Sequence, residues 1–183
     1  MNRMTRLGGC AALVAATMAA VVGMSVVPAG AAPDDAAQAR QATAAYHNSY
    51  VITNDSDWFQ LYDLSQITCI DDPMGGMGIH FVNGSRVGDP TEKASEPEAV
   101  IYEPMKNGKL RLVGLEYVVL KSDWVKANGP TKKPSLFGHE FKFVPEGNRY
   151  GLPDFYEIHA WIWKHNPSGM NSDWNPAVSC QYA

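Results

Sequence analysis

Three ionisable residues stand in stretches that are largely apolar. His80 lies in Ile79-His80-Phe81-Val82, Glu116 in Gly114-Leu115-Glu116-Tyr117-Val118, and His159 in Tyr156-Glu157-Ile158-His159-Ala160-Trp161. Each stretch is dominated by β-branched and aromatic residues and reads as a strand. A buried imidazole requires a partner for each ring nitrogen, and a buried carboxylate requires a donor or a counter-charge. Two imidazoles and one carboxylate meeting at a point form a ligand set for one divalent transition metal ion: zinc, iron, manganese or copper, with water in the open positions. Such an ion polarises a carbonyl or activates water or oxygen. No His-x-His or His-Glu-x-x-His spacing links the three, so the fold has to assemble them. A second use of the same residues is structural, with His159 and Glu116 hydrogen-bonded to each other in a polar core.

Other groups stand around this set. Glu157 shares the strand face of His159 and is an alternative partner to Glu116, while Glu103 and His139 are candidates for supporting positions behind the ligands. Trp161 and Trp163 are candidates to line a small-molecule pocket, although tryptophans in a small domain more often pack than bind. Asp154 and Asp173 read as turn caps. Ser168 and Ser179 lack the Gly-x-Ser-x-Gly setting of a serine hydrolase. Asp71-Asp72-Pro73-Met74-Gly75-Gly76-Met77-Gly78 lacks the lysine and hydroxyl of a phosphate loop and the spacing of a calcium hand, and reads as a flexible loop.

The elements that must position these residues follow from periodicity. Asp34 to Tyr50 has no glycine or proline and places Ala39, Ala42, Tyr46 and Tyr50 at helical spacing, which predicts a surface helix. Trp58, Leu61, Tyr62 and Leu64 predict a second short helix ending near Gln66. A strand over Ile79–Val82 follows, then a polar excursion from Asn83 to Pro97, long enough to cover an opening. Ala99–Glu103 and Leu110–Leu120 flank Asn107-Gly108, a strong hairpin signal. A two-residue loop there pairs Glu103 with Leu112, Ile101 with Gly114 and Ala99 with Glu116. A helical turn over Ser122–Ala127, a strand over Leu136–Val144 and the strand from Phe155 to Trp163 complete the pattern, with Asn166-Pro167 and Asn175-Pro176 as turns. The predicted class is α+β: N-terminal helices packed on a mainly antiparallel curved sheet or small β-barrel.

The first residues carry an address. Arg3 and Arg6, an apolar run to Val27 and then Ala29-Gly30-Ala31 have the order of a secretory signal peptide cleaved after Ala31, leaving residues 32–183 as one secreted domain without a membrane anchor. Cleavage removes two arginines and no acid, so the mature chain is more acidic than the full chain's −4, which argues against a nucleic-acid partner. Of the three cysteines, Cys10 leaves with the signal. Cys69 and Cys180 are then expected to form a disulfide that closes a loop of 111 residues.

Taken as a set, Gly76-Met77-Gly78-Ile79-His80-Phe81-Val82-Asn83, Leu112-Val113-Gly114-Leu115-Glu116-Tyr117, His159-Ala160-Trp161-Ile162-Trp163 with Asn166-Pro167-Ser168-Gly169-Met170, and Asn175-Pro176-Ala177-Val178-Ser179-Cys180 resemble a family of small secreted bacterial proteins of no established activity. The resemblance implies export and a single domain and transfers no catalytic residue. Two functions remain open: a metal-binding protein, acting on a small extracellular molecule if it is an enzyme, and a non-catalytic binding domain for a ligand or partner with a structural polar core.

Overall fold

The computed structural model describes residues 34–183, so the signal-peptide expectation lies outside the described residues. Among the described residues no helix is long and apolar enough to cross a membrane. The fold is a mixture of short helices and antiparallel sheet, and the sheet is open rather than closed into a barrel.

Helix α1 spans Asp35–Thr43 and is started by Asp34, whose carboxylate accepts a 2.7 Å hydrogen bond from the Ala37 amide. It tightens into a 3₁₀ turn at Ala44–His47, and α2 is a single turn, Tyr50–Thr53. The continuous helix expected to Tyr50 is therefore broken near Asn48, whose backbone is extended. The tyrosine at the break has a tertiary role, because the Tyr46 carbonyl accepts from the Tyr102 hydroxyl at 2.7 Å.

The helix expected to end near Gln66 is not formed. Trp58–Gln60 is instead strand β1, paired antiparallel with Asn83–Phe81 of β3 (Gly75–Asn83). A stripe at helical spacing can be read equally well from a short buried strand and the turns after it, and here pairing with β3 decides. The glycine-rich stretch also differs from its reading as a flexible loop. β2 (Cys69–Asp72) and β3 form a hairpin through it. Gly75 is required by close approach: a Cβ there would lie 2.4 Å from the Asn175 carbonyl carbon. That contact lets the chain's tail pair with β3, with Gly76 and Asn175 exchanging two 3.1 Å backbone hydrogen bonds.

The main sheet runs β1-β3-β4-β5-β9-β8, with β2 against β3 and every pairing antiparallel. Its members are β4 (Ala99–Pro104), β5 (Leu110–Leu120), β8 (Lys142–Val144) and β9 (Phe155–Ala160). The expected register holds for Ala99–Glu116 and Ile101–Gly114, then slips. Tyr102 pairs with Leu112 and Glu103 with Arg111. The extra residue on β5, Val113, is a bulge. It turns Leu112 into the main core and sets Arg111 beside Glu103 in place of a leucine.

The expected strand over Leu136–Val144 breaks into three pieces. Phe137 and Gly138 both have positive φ (55° and 76°), the two-residue turn of a tight hairpin between β6 (Ser135–Leu136) and β7 (His139–Glu140). β8 then pairs with β9, bringing Lys142 opposite Glu157. The remaining helices are α3 (Gly84–Val87), which opens the excursion after β3, and α4 (Lys121–Asn128), which follows β5 where a helical turn was expected.

One sheet face carries the main core of Val100, Tyr102, Leu112, Leu115, Tyr117, Ile158 and Ala160, all nearly inaccessible to solvent. The other face carries a smaller cluster of Ile101, Val113, Trp161 and Val178 together with the polar site. Cys69 and Cys180 are joined by a 2.04 Å S–S bond, pinning the tail to the β2 edge.

Candidate metal centre

The strand pairings explain why distant residues meet. On the face opposite the main core, β3 contributes His80, β5 contributes Glu116 and β9 contributes His159. Glu116 is directly opposite His159 on one side and Ala99 on the other. His80 stands opposite Ile101 on β4, one same-face step from the small Ala99, and places Nε2 3.5 Å from Glu116 Oε2. One ligand atom from each of His80, Glu116 and His159 lies within 4.8 Å of the others.

All three are shut away from solvent, and three of the four imidazole nitrogens lack a hydrogen-bonding partner. His80 Nδ1 and both nitrogens of His159 are buried without a partner. Every neutral imidazole has one N–H and one lone pair, so His159 as it stands leaves a donor and an acceptor unused, at about 1–3 kcal/mol for each such buried group. The hydrogen bond from His159 to Glu116 that a structural polar core requires is not made. Its Nδ1 instead faces Asp173 Oδ1 at 4.0 Å, beyond hydrogen-bonding reach.

Electrostatics sets the protonation of the set. Burial, with the neighbouring His159 second, lowers His80 to about 3, against a raising influence from the Gly78 backbone. Burial and then Lys142 lower His159 to about 3 as well. Glu116 is pushed well above the usual carboxylate range by burial first. Glu157 follows, through its charge and the hydrogen bond the two carboxyls share, and then Asp173 and Glu98. Glu157 is also raised, chiefly by burial, while its bond to Glu116 and the Lys142 ammonium pull the other way. Burial therefore favours neutral imidazoles at His80 and His159, with lone pairs available, and makes the Glu116 carboxyl hold its proton more firmly than an exposed glutamate does.

Glu157 makes a second, overlapping group. With His159 and Asp173 it offers ligand atoms within 4.8 Å of one another, but an ammonium already serves these carboxylates. Lys142 pairs with Asp173 and lies 3.5 Å from Glu157 Oε1. Lys142 and Asp173 are the site residues that sequence reasoning missed. Asp173 sits in irregular chain after β9, where no periodicity marks it, and the β8–β9 pairing that aims Lys142 became visible only with the hairpin at Phe137-Gly138.

Two expected supporting residues lie elsewhere. Glu103 is not behind the ligands. The bulge at Val113 gives it Arg111, and the same carboxylate accepts from Lys164 at 2.8 and 2.9 Å and from the Ser179 amide at 3.1 Å. Burial alone would raise it, but the bonds from Lys164 and Arg111 outweigh that and hold it below its ordinary value. It clamps the tail to the hairpin. Glu103→Gln is accordingly expected to lower unfolding free energy by about 1–3 kcal/mol in urea titrations without altering metal uptake; an unchanged midpoint refutes the clamp. His139 is exposed on the small β6–β7 hairpin, far in register from the ligands, because the positive-φ turn ends the strand that was to carry it inward.

Trp161 and Trp163 both border a surface depression of about 540 Å³. Their indole N–H groups are already used, Trp161 donating to the Ser172 carbonyl at 2.6 Å and Trp163 to the Thr43 hydroxyl at 3.1 Å. Trp161 is packed into the smaller core against Gly114, where a Cβ would meet its ring at 3.0 Å. Asn171 donates to the backbone carbonyl of His159 at 2.7 Å, so the tail braces the strand that carries the ligand. Two cavities border the set. One of about 290 Å³ is lined by Glu116, Glu157, Lys142 and Arg149, and one of about 190 Å³ by Glu116 and Glu98 among apolar side chains.

Comparison with known proteins found no matching family, no matching curated protein and no matching solved structure.

Proposed function

We propose that this is an exported protein that holds one divalent transition metal ion on His80, Glu116 and His159 and acts there on a small molecule. The observation that carries the reading is the buried imidazole pair beside a carboxyl: three of the pair's nitrogens are the buried side-chain polar atoms left unpartnered among the described residues. An ion would be held by imidazole lone pairs and the Glu116 carboxylate, and because burial raises Glu116 its uptake would be favoured as pH rises. When bound, the ion supplies Lewis acidity or an activated water. The chain's own contribution is a dry, rigid ligand set and a carboxyl pair, Glu116 and Glu157, that can share or move a proton at the edge of two cavities. Lys142 holds Glu157 and Asp173 in place beside it.

The test is elemental analysis of protein purified without an affinity tag. About one equivalent of a transition metal is expected in the wild type and a loss of at least tenfold in affinity in the His80→Ala/His159→Ala variant. A wild type that takes up no stoichiometric metal from zinc, iron, manganese or copper rejects the reading.

A further inference from the structure

Glu116 faces both cavities, and so do Tyr150 and Phe155, which stand between them. The cavities differ in chemistry. The larger one carries Lys142, Arg149 and Glu157, whereas the smaller, about 190 Å³, has hydrocarbon walls from Phe59, Leu61, Val82, Val87, Val118 and Leu152, with no lysine or arginine. A cavity of about 150 Å³ is enough to hold benzene, so a single ring with one or two substituents fits the smaller one.

Its polar feature is Glu98, only 6 % exposed. Glu98 Oε2 accepts from the Val118 amide at 3.0 Å, two residues along β5 from Glu116, and both carboxyls line a chamber that is apolar apart from them and Tyr150. Burial raises Glu98 to about 8, with the Val118 hydrogen bond opposing it, so at neutral pH it is a carboxyl that can donate a hydrogen bond. Apolar walls, no lining lysine or arginine and the buried Glu98 carboxyl disfavour an anionic guest and favour a neutral one that presents an oxygen.

We infer that this cavity binds an uncharged molecule the size of one substituted ring, with a hydroxyl or carbonyl oxygen directed at Glu98 and Glu116 and its hydrocarbon against Phe59, Val87 and Leu152. The role of that molecule as the one acted on at the metal rests on the reading above; its binding does not. The cavity places the guest's oxygen beside a ligand of the ion, and the excursion after β3, with α3 at its start, supplies Val87 and Glu98 as one wall.

The experiment is a calorimetric titration of the purified protein, chelator-treated and zinc-loaded, with 4-methylphenol and with 4-methylbenzoate. Saturable binding of 4-methylphenol is expected, with 4-methylbenzoate at least about tenfold weaker because its carboxylate would be buried without a partner. Val87→Phe and Leu152→Phe, each filling the chamber from a different loop, are expected to weaken 4-methylphenol by about tenfold or more while each variant still unfolds cooperatively. Absence of saturable 4-methylphenol binding, or equal binding by both filled variants, overturns the inference and leaves the metal reading standing. Binding by a protein that takes up no metal supports the cavity and removes only its role at an ion.

Discussion

Replacing Cys69 and Cys180 together by serine is expected to lower the unfolding free energy by about 4–5 kcal/mol. The bond closes a loop of 111 residues, and the cost of leaving such a loop free falls on the unfolded chain. That is a large share of the about 5–15 kcal/mol available to a domain of this size. The loss should not be uniform. The tail that Cys180 anchors carries Asp173 beside His159, Asn171 on the His159 carbonyl and Asn175 in its ladder with Gly76. On the proposed reading, metal affinity should weaken along with stability, and amide exchange in residues 166–180 should rise before that of β4 and β5. Urea titration and hydrogen exchange of the double variant check this. A loss under about 1 kcal/mol would show that the Glu103 clamp and the tail's hydrogen bonds hold the end of the chain without the bond.

The metal-free protein is expected to be most stable between about pH 4.5 and 6.5, and to lose about 3 kcal/mol from Glu98 alone on going from pH 5 to pH 8. Two opposed sets of groups give the sign. Glu98, Glu116 and Glu157 keep protons in the folded state that the unfolded chain gives up above its ordinary carboxyl value of 4.5. Stability from them is present at low pH and is lost as pH rises, in the case of Glu98 through about 8. His80 and His159 are held neutral down to about 3, so below 6.5 the unfolded chain takes up protons that the folded one refuses, and stability falls with acid. Between 4.5 and 6.5 the two slopes oppose each other.

On the proposed reading, an ion held by His80, Glu116 and His159 would compete with the proton on Glu116, which burial raises, so its stabilising effect should grow as pH rises. Denaturation midpoints across pH 4 to 9, with and without zinc and with Glu98→Gln, check these signs. Stability that stays flat or rises between pH 6.5 and 8 in the metal-free wild type would contradict the buried-acid picture. Glu98→Gln should make the alkaline decline shallower, because an amide still accepts from the Val118 amide but has no proton to lose.

The candidate residues and the strand register came from different kinds of information. His80, Glu116 and His159 were conspicuous because each interrupts an apolar, β-branched stretch, and burial of such a residue is costly wherever the strand goes. The Asn107-Gly108 turn placed Glu116 on the face of Ile101 and Gly114 without any knowledge of the rest. The cysteine count fixed the bond between Cys69 and Cys180, since the only other cysteine lies in the segment expected to be removed. The two Asn-Pro turns marked where the tail doubles back. All of these are local patterns, and local sterics and composition decide them.

The rest depended on contacts between segments. A single bulge at Val113 moved Glu103 from a presumed supporting role to the Arg111 and Lys164 clamp, and one residue's slip is invisible in a pattern whose period is two. Trp58 and Leu61 fit a helix as well as a strand until β3 offered an unpaired edge. His139 was carried away from the site by positive φ at Phe137, a conformation that nothing about a phenylalanine announces. Asp173, Lys142 and Glu98 belong to irregular chain or to short strands and come to the site only through packing. The sequence on its own determined which groups could not be left alone in a core; three-dimensional packing decided which of them meet, because a partner on a distant strand is chosen by whichever strands pair, and pairing is settled by the whole sheet at once.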